Sequence, residues 1–101
     1  MQGMTKFPKR ITLDITDKDI RLGEPEDCRR CAAARAAKRL RLAPIVYVRE
    51  DGVYFSDVSR DTLAVYDVSK TLDQFIMRFD SRLPVRPRRI VLTKAWGADD
   101  E

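Results

Sequence analysis

The sequence predicts an α+β fold: a mainly antiparallel sheet of four to five strands with two main helices packed on one face, in the order β-α-β-β-β-α-β. Three observations carry this expectation. Alternating or β-branched runs recur at 10–15, 45–58, 62–68 and 88–93, the mark of half-buried strands. The stretches 24–41 and 69–83 have the composition or the 3.6-residue apolar period of helices. An Asp51-Gly52 pair divides the run at 45–58, and a hairpin turn with positive φ favours that pair.

Taken in order, Lys6-Phe-Pro-Lys9 is a lead-in to the first strand, Arg10-Ile-Thr-Leu-Asp-Ile15, whose apolar residues alternate with polar ones. Thr16 is placed as a helix N-cap with Asp19 three residues on, and the short helix ends by Leu22 at Gly23. Glu24 to Arg41 reads as the first main helix. Pro25 suits a first turn, Glu24, Glu26 and Asp27 face the positive end of the dipole, and Lys38, Arg39 and Arg41 face the negative end. The alanines between Ala32 and Ala37 are the best helix formers, and Pro44 stops the run.

At 100° per residue this helix separates two arcs. Ala32, Ala33, Ala36, Ala37 and Leu40 form a smooth side for packing on a sheet. Arg30, Arg35, Lys38, Arg39 and Arg41 cover the other, with Cys28, Cys31 and Ala34 among or beside them. The basic arc serves either to grip an anionic partner or to keep a small domain soluble.

Ile45 to Arg49 and Val53 to Val58 make the hairpin, Ser59-Arg60-Asp61 makes a second turn, and Thr62 to Val68 completes a meander. Ser69 to Leu83 is the second main helix. Leu72, Phe75, Ile76, Phe79 and Leu83 form its apolar stripe, Thr71 and Gln74 offer a capping box, and Met77 falls off the stripe. Leu83-Pro-Val-Arg-Pro87 is an extended connector, because two prolines exclude regular hydrogen bonding. Arg88 to Thr93 is the last strand. A split β-α-β arrangement of the ferredoxin-like kind would accommodate these elements. The whole of 1–101 is expected to be a single domain, with 1–9 and 95–101 as loose termini.

Charged residues make up 36% and apolar residues 44% of the chain, a composition of soluble globular proteins. No apolar run approaches the roughly 20 residues of a membrane span, and 1–9 has no signal-peptide core. A cytoplasmic, reducing setting with free thiols follows as an expectation. The charge is blocky: 29–49 and 82–94 carry bases and no acid, whereas 11–27 and 50–81 are mostly acidic. Whether the two basic blocks meet in space decides whether they form one positive surface.

Little here suggests catalysis. The chain has no histidine, the commonest general base, and no phosphate-cradling glycine motif. Cys28-Arg-Arg-Cys31 admits a redox thiol, a metal site pooled across a homodimer, or plain structural thiols. One chain lacks the four ligands that zinc needs, so no cofactor is expected. Tyr47, Tyr54, Phe55 and Tyr66 lie on strands, where alternation turns some outward as platforms for nucleotide bases and others into the core.

Two motifs, Asp27-Cys28-x-x-Cys31-x-Ala33 and Phe79-Asp80-x-x-x-Pro84-Val85-x-Pro87, resemble those of small accessory proteins encoded by actinobacterial phages. Ile11 to Ile20 matches the strand and short helix of that group. Ala32 stands where the group carries proline, and the glycine that follows its Phe-Asp pair has no counterpart near Ser81 and Arg82. The resemblance implies a phage protein acting in the cytoplasm of a host bacterium; it implies no activity.

The leading expectation is therefore a non-enzymatic binding protein that engages a host or phage macromolecule. Its contact residues are Arg30, Arg35, Lys38, Arg39 and Arg41, joined by Arg86, Arg88 and Arg89 where the fold brings them near. The alternatives are direct DNA or RNA binding through the same residues, and a thiol or metal function at Cys28 and Cys31.

Overall fold

Ile11, Leu13 and Ile15 project to one side of the first strand, and that side is buried while Arg10, Thr12 and Asp14 face solvent. The same alternation builds the rest of the sheet in the computed structural model, which describes residues 7–57 and 61–97. The elements are β1 (Arg10–Ile15), α1 (Asp17–Leu22), α2 (Ala32–Lys38), β2 (Ile45–Arg49), β3 (Gly52–Ser56), β4 (Thr62–Tyr66), α3 (Lys70–Asp80) and β5 (Arg88–Gly97). The five strands form one sheet in the order β1-β5-β4-β3-β2. Every pairing is antiparallel. The α+β class holds, but not the ferredoxin-like arrangement. The chain passes from β1 through α1 and α2 to the opposite edge of the sheet, so β1 and β2 never become neighbours.

The sheet is curled, and α2 packs against both of its edge strands, β1 and β2. A helix lying in such a trough is enclosed on several sides, which explains its composition. Ala32, Ala33, Ala34, Ala36 and Ala37 are all buried, so Ala34 belongs to the core and not to a solvent arc. Inner-face pairs Ile11–Leu92, Leu13–Ile90, Val46–Phe55 and Val48–Val53 meet the alanines across the layer. Leu72, Phe75 and Phe79 of α3 join the same core, each contributing roughly 1.5–3 kcal/mol by burial before conformational entropy is counted.

Both ends of both main helices differ from expectation, and α2 stops at Lys38 and not at Arg41. The helix expected from Glu24 begins only at Ala32, because Asp27 makes a turn instead. Its carboxylate accepts from Arg29 N–H and Arg30 N–H at 3.0 and 3.1 Å, and its carbonyl accepts from Cys31 N–H at 3.0 Å. Acids and Pro25 imitate a helix start, but the residues from 24 to 31 form a loop with tertiary anchors. Glu26 N–H donates to the Asp80 carboxylate and Val48 N–H donates to the Cys28 carbonyl. Helix α3 is capped by the Ser69 hydroxyl on Leu72 N–H, not by Thr71.

Helix α3 also stops at Asp80, leaving Leu83 exposed beyond it. Leu83 N–H donates to Arg78 carbonyl, Arg82 N–H donates to Phe79 carbonyl, and Arg82 takes φ of 60° between them. This is a Schellman stop with arginine where glycine is usual. Arg82→Gly is expected to stabilise the protein by about 0.5–1 kcal/mol, read as a higher urea midpoint at unchanged slope. An unchanged or lower midpoint would show that Arg82 carries no strain.

The hairpin is also shifted by one residue. Glu50 and Asp51 form its turn, neither has positive φ, and Gly52 already pairs with Arg49 in the ladder. At the ends, the expected loose segments divide. Phe7 is buried against Phe55, Lys9 carbonyl accepts from Lys94 N–H, and Tyr66 hydroxyl donates to Pro8 carbonyl. β5 runs on to Gly97, pairing Val65 with Trp96, so 95–97 are strand and not tail. Residues 1–6, 58–60 and 98–101 lie outside the described residues, and with them Ser59 and Arg60 of the turn expected at Ser59-Arg60-Asp61.

Candidate functional site

The basic residues of the first block fall into two kinds, separated by Asp19. Thr16 hydroxyl accepts from Asp19 N–H, and the Asp19 carboxylate accepts from Thr16 N–H at 2.9 Å, the expected capping box of α1. That box turns the carboxylate towards α2. There Arg39 reaches both of its oxygens at 2.6 Å, and Arg35 Nε reaches one of them at 3.2 Å. The Asp19 side chain is 1% exposed, whereas those of Arg35 and Arg39 are 32% and 47% exposed. Burial alone would raise the Asp19 carboxyl, but the Arg39 and Thr16 hydrogen bonds and the Arg39 charge prevail, holding it at about 2. Arg39 is raised in turn, chiefly by its hydrogen bonds to Asp19.

Arg35 and Arg39 are thus first of all structural, tying α2 to α1. Arg39 also donates to the Asp14 carbonyl at 2.6 Å, covering the outer edge of β1. Two guanidiniums share one buried carboxylate, so the cluster keeps positive charge on its solvent side. With Lys18, Arg30 and Lys38 they line a shallow concavity of about 490 Å³, opposed by Glu24 and floored by Leu22. Arg30 lies 3.9 Å from Glu24, an exposed and weak pair. Lys38 Nζ donates to the Arg29 carbonyl at 2.5 Å, which satisfies a proton without neutralising the charge.

The second basic block meets the first at one point. Arg89 Nε lies 3.8 Å from the Asp14 carboxylate, and the carbonyl of the same residue holds Arg39. Arg86 and Arg88 instead line a concavity against α3 with Arg78, whose guanidinium donates to the Pro84 carbonyl. Arg41, at φ of 55°, is exposed beyond the end of α2 and lines neither concavity. The residues gathered in one place are therefore Arg30, Arg35, Lys38 and Arg39. Lys18 joins them, a contributor that the sequence hides because it sits in an acidic stretch on a different helix.

The cysteines divide as well. Cys31 is buried and is the N-cap of α2, its Sγ accepting from Ala34 N–H at 3.4 Å. Burial pushes its thiol up, against the helix-start hydrogen bonds, away from the reactive thiolate form. Cys28 is exposed, in a groove of about 720 Å³ between the 24–31 loop, β2 and α3. Five carboxylates, Glu26, Asp27, Glu50, Asp73 and Asp80, line that groove with Arg49. Among the described residues no three metal-ligating side chains converge.

Among the described residues no helix lies on the outer face of the sheet. Tyr47, Tyr54, Val65 and Trp96 are successive cross-strand partners on it, whereas Phe55 and Tyr66 point into the core. Arg29 lies over the Tyr47 ring, 5.6 Å from its centre. Among the described residues no helix is long and apolar enough to cross a membrane. Comparison with protein-family models, curated proteins and solved structures finds no match to this chain.

Proposed function

We propose that this is a non-enzymatic binding protein whose basic surface around α2 engages an anionic macromolecule, with nucleic acid as the partner class. The observation that carries the reading is the state of Lys38 and its neighbours. Lys38 is held by a carbonyl, Arg30 has only a long contact to Glu24, and Asp19 answers just one of the two charges on Arg35 and Arg39. Exposed, uncompensated cations in a shallow concavity suit phosphates, which guanidiniums contact in forks. The setting proposed with it, an accessory phage protein in a host bacterium, is supported only by the motif resemblance at Cys28–Cys31 and Phe79–Pro87.

The position of Asp19 decides how to test this. Arg35→Glu or Arg39→Glu would face a buried carboxylate and unfold the site, so neither variant isolates binding. The informative variant is Lys18→Gln/Arg30→Gln/Lys38→Gln, titrated by fluorescence anisotropy against labelled duplex and single-stranded DNA. Wild type is expected to bind at 50 mM salt and weaken steeply by 200 mM. The triple variant is expected to lower the slope of log affinity against log salt by about 1 for each phosphate it no longer grips. Absence of binding to either form at low salt would overturn the reading and direct the search to an acidic protein partner.

A further inference from the structure

We propose that the nucleic acid is taken as a single strand, its bases stacking on the outer-face row Tyr47, Tyr54, Val65 and Trp96. This inference rests on the nucleic-acid reading above and adds the recognition element to it. Cross-strand partners on an antiparallel sheet share a face, and the register runs Tyr47–Tyr54, Tyr54–Val65 and Val65–Trp96. Three strand spacings make a row of about 14 Å, the length of a few splayed nucleotides. Trp96 is 60% exposed, unusual for a tryptophan in a strand with a paired neighbour. Among the described residues no α-helix covers the row, although the other face of the sheet is filled by α2 and α3.

Aromatic rings alone would serve equally well for an apolar partner. The charges around the row argue for phosphates. Arg29 rests on Tyr47, Arg49 shares the Tyr47 face of β2, and neither has a carboxylate within 4 Å among the described residues. Beyond Trp96 the same face continues through Arg10 and Arg89. Asp14 lies beside Arg89 and Asp51 against the Tyr54 hydroxyl. At the β2 edge Tyr47 and Arg49 also line the groove that holds Glu26, Asp27, Glu50, Asp73 and Asp80, so the cationic track leaves the row through Arg29 and not through that groove. Arg29 is also the joint between the two surfaces. It lines a concavity with Arg30, Lys38 and Asp27, whose carboxylate is already engaged by the Arg29 and Arg30 N–H groups. Its guanidinium meanwhile lies on Tyr47, so the phosphate-facing patch runs into the aromatic row. Stacking rings beside a cationic track is the arrangement by which sequence-tolerant single-strand binders work.

The single tryptophan makes the test direct, because base stacking quenches indole emission. The full chain is titrated with a ten-nucleotide thymidine oligomer and with a duplex of equal length, followed by Trp96 emission and, separately, by anisotropy of labelled DNA. Quenching by the oligomer is expected, with tenfold or greater preference over duplex. Tyr47→Ala is expected to weaken the oligomer roughly tenfold and leave duplex affinity unchanged, while Tyr47→Phe retains binding. Three results would overturn the inference: Trp96 emission unchanged while anisotropy reports binding, equal affinity for both forms, or Tyr47→Ala binding the oligomer like wild type. Each of these leaves the broader nucleic-acid reading standing. Binding of neither form at low salt would remove both.

Discussion

Asp19→Ala is expected to lower the unfolding free energy by about 3 kcal/mol, and the melting temperature by roughly 12–20 °C. The substitution removes the acceptor of Thr16 N–H and leaves Arg35 and Arg39 without their shared anion. Loss of the cap contributes about 1 kcal/mol. The rest comes from unpairing two guanidiniums, less than for a fully buried pair because both reach solvent. Asp19→Asn keeps the shape and loses only the charge, and it isolates the ionic part. In the folded protein the carboxyl titrates at about 2 against an ordinary value of 3.8. A depressed carboxyl stabilises the fold above its unfolded value and loses that contribution as pH falls towards the folded one. The advantage of wild type over Asp19→Asn, on the order of 1–2 kcal/mol with screening at the half-exposed arginines allowed for, is therefore full above about pH 5, falls through about pH 4 and 3, and is mostly lost by about pH 2. Urea denaturation of both proteins at pH 6, 4, 3 and 2 measures it. A difference that stays flat across that range would mean that Asp19 does not hold α1 to α2 through its charge.

Gly23→Ala is expected to cost about 2–3 kcal/mol, although Gly23 has φ of −70° and any residue could adopt its backbone. A Cβ at this position would lie 2.6 Å from the Asp19 carbonyl oxygen and 2.7 Å from Ala32 N. Both obstacles are backbone atoms, so α1 must move away from the start of α2, and the Asp19–Arg39 contact loosens with it. Gly52→Ala is the control. Its Cβ would meet the tip of Val65 Cγ1, which can rotate aside, and a loss below about 1 kcal/mol is expected. Equal midpoints for Gly23→Ala and wild type would show that the helices have room to separate. The pH series applied to Gly23→Ala should also show a smaller acid sensitivity than wild type.

Glycine at position 23 is readable as a helix end, but the reason for it is not. Sequence patterns suggest the conformational use of glycine, whereas here the backbone of α2 passes too close for any side chain. Arg82 is the converse case. Its left-handed backbone ends α3 without glycine, so nothing local marks the stop, and the apolar period runs on to Leu83, which leaves the stripe. The acids from Glu24 to Asp27 have the charge and the proline of a helix start. Asp27 uses its carboxylate for a turn because Cys28 carbonyl and Glu26 N–H have partners on β2 and α3, far along the chain.

By itself the sequence determined the strand runs at Arg10–Ile15 and Ile45–Arg49, the core faces of those strands, the Thr16–Asp19 cap and the apolar side of α3. These depend on periods of two or 3.6 residues and on contacts three residues apart, which a linear pattern records. Only the tertiary structure decided that β1 and β2 lie at opposite edges, that α2 is enclosed on several sides, and that Arg35 and Arg39 answer a buried carboxylate. It also decided which aromatics stand in one outer row, since Tyr47 and Trp96 meet only through the register of three strand pairs. The physical reason is the same in each case. A charge or a ring has no fixed role until the fold sets what stands opposite it, and those partners are separated by 16 residues at Arg35 and by 20 at Arg39.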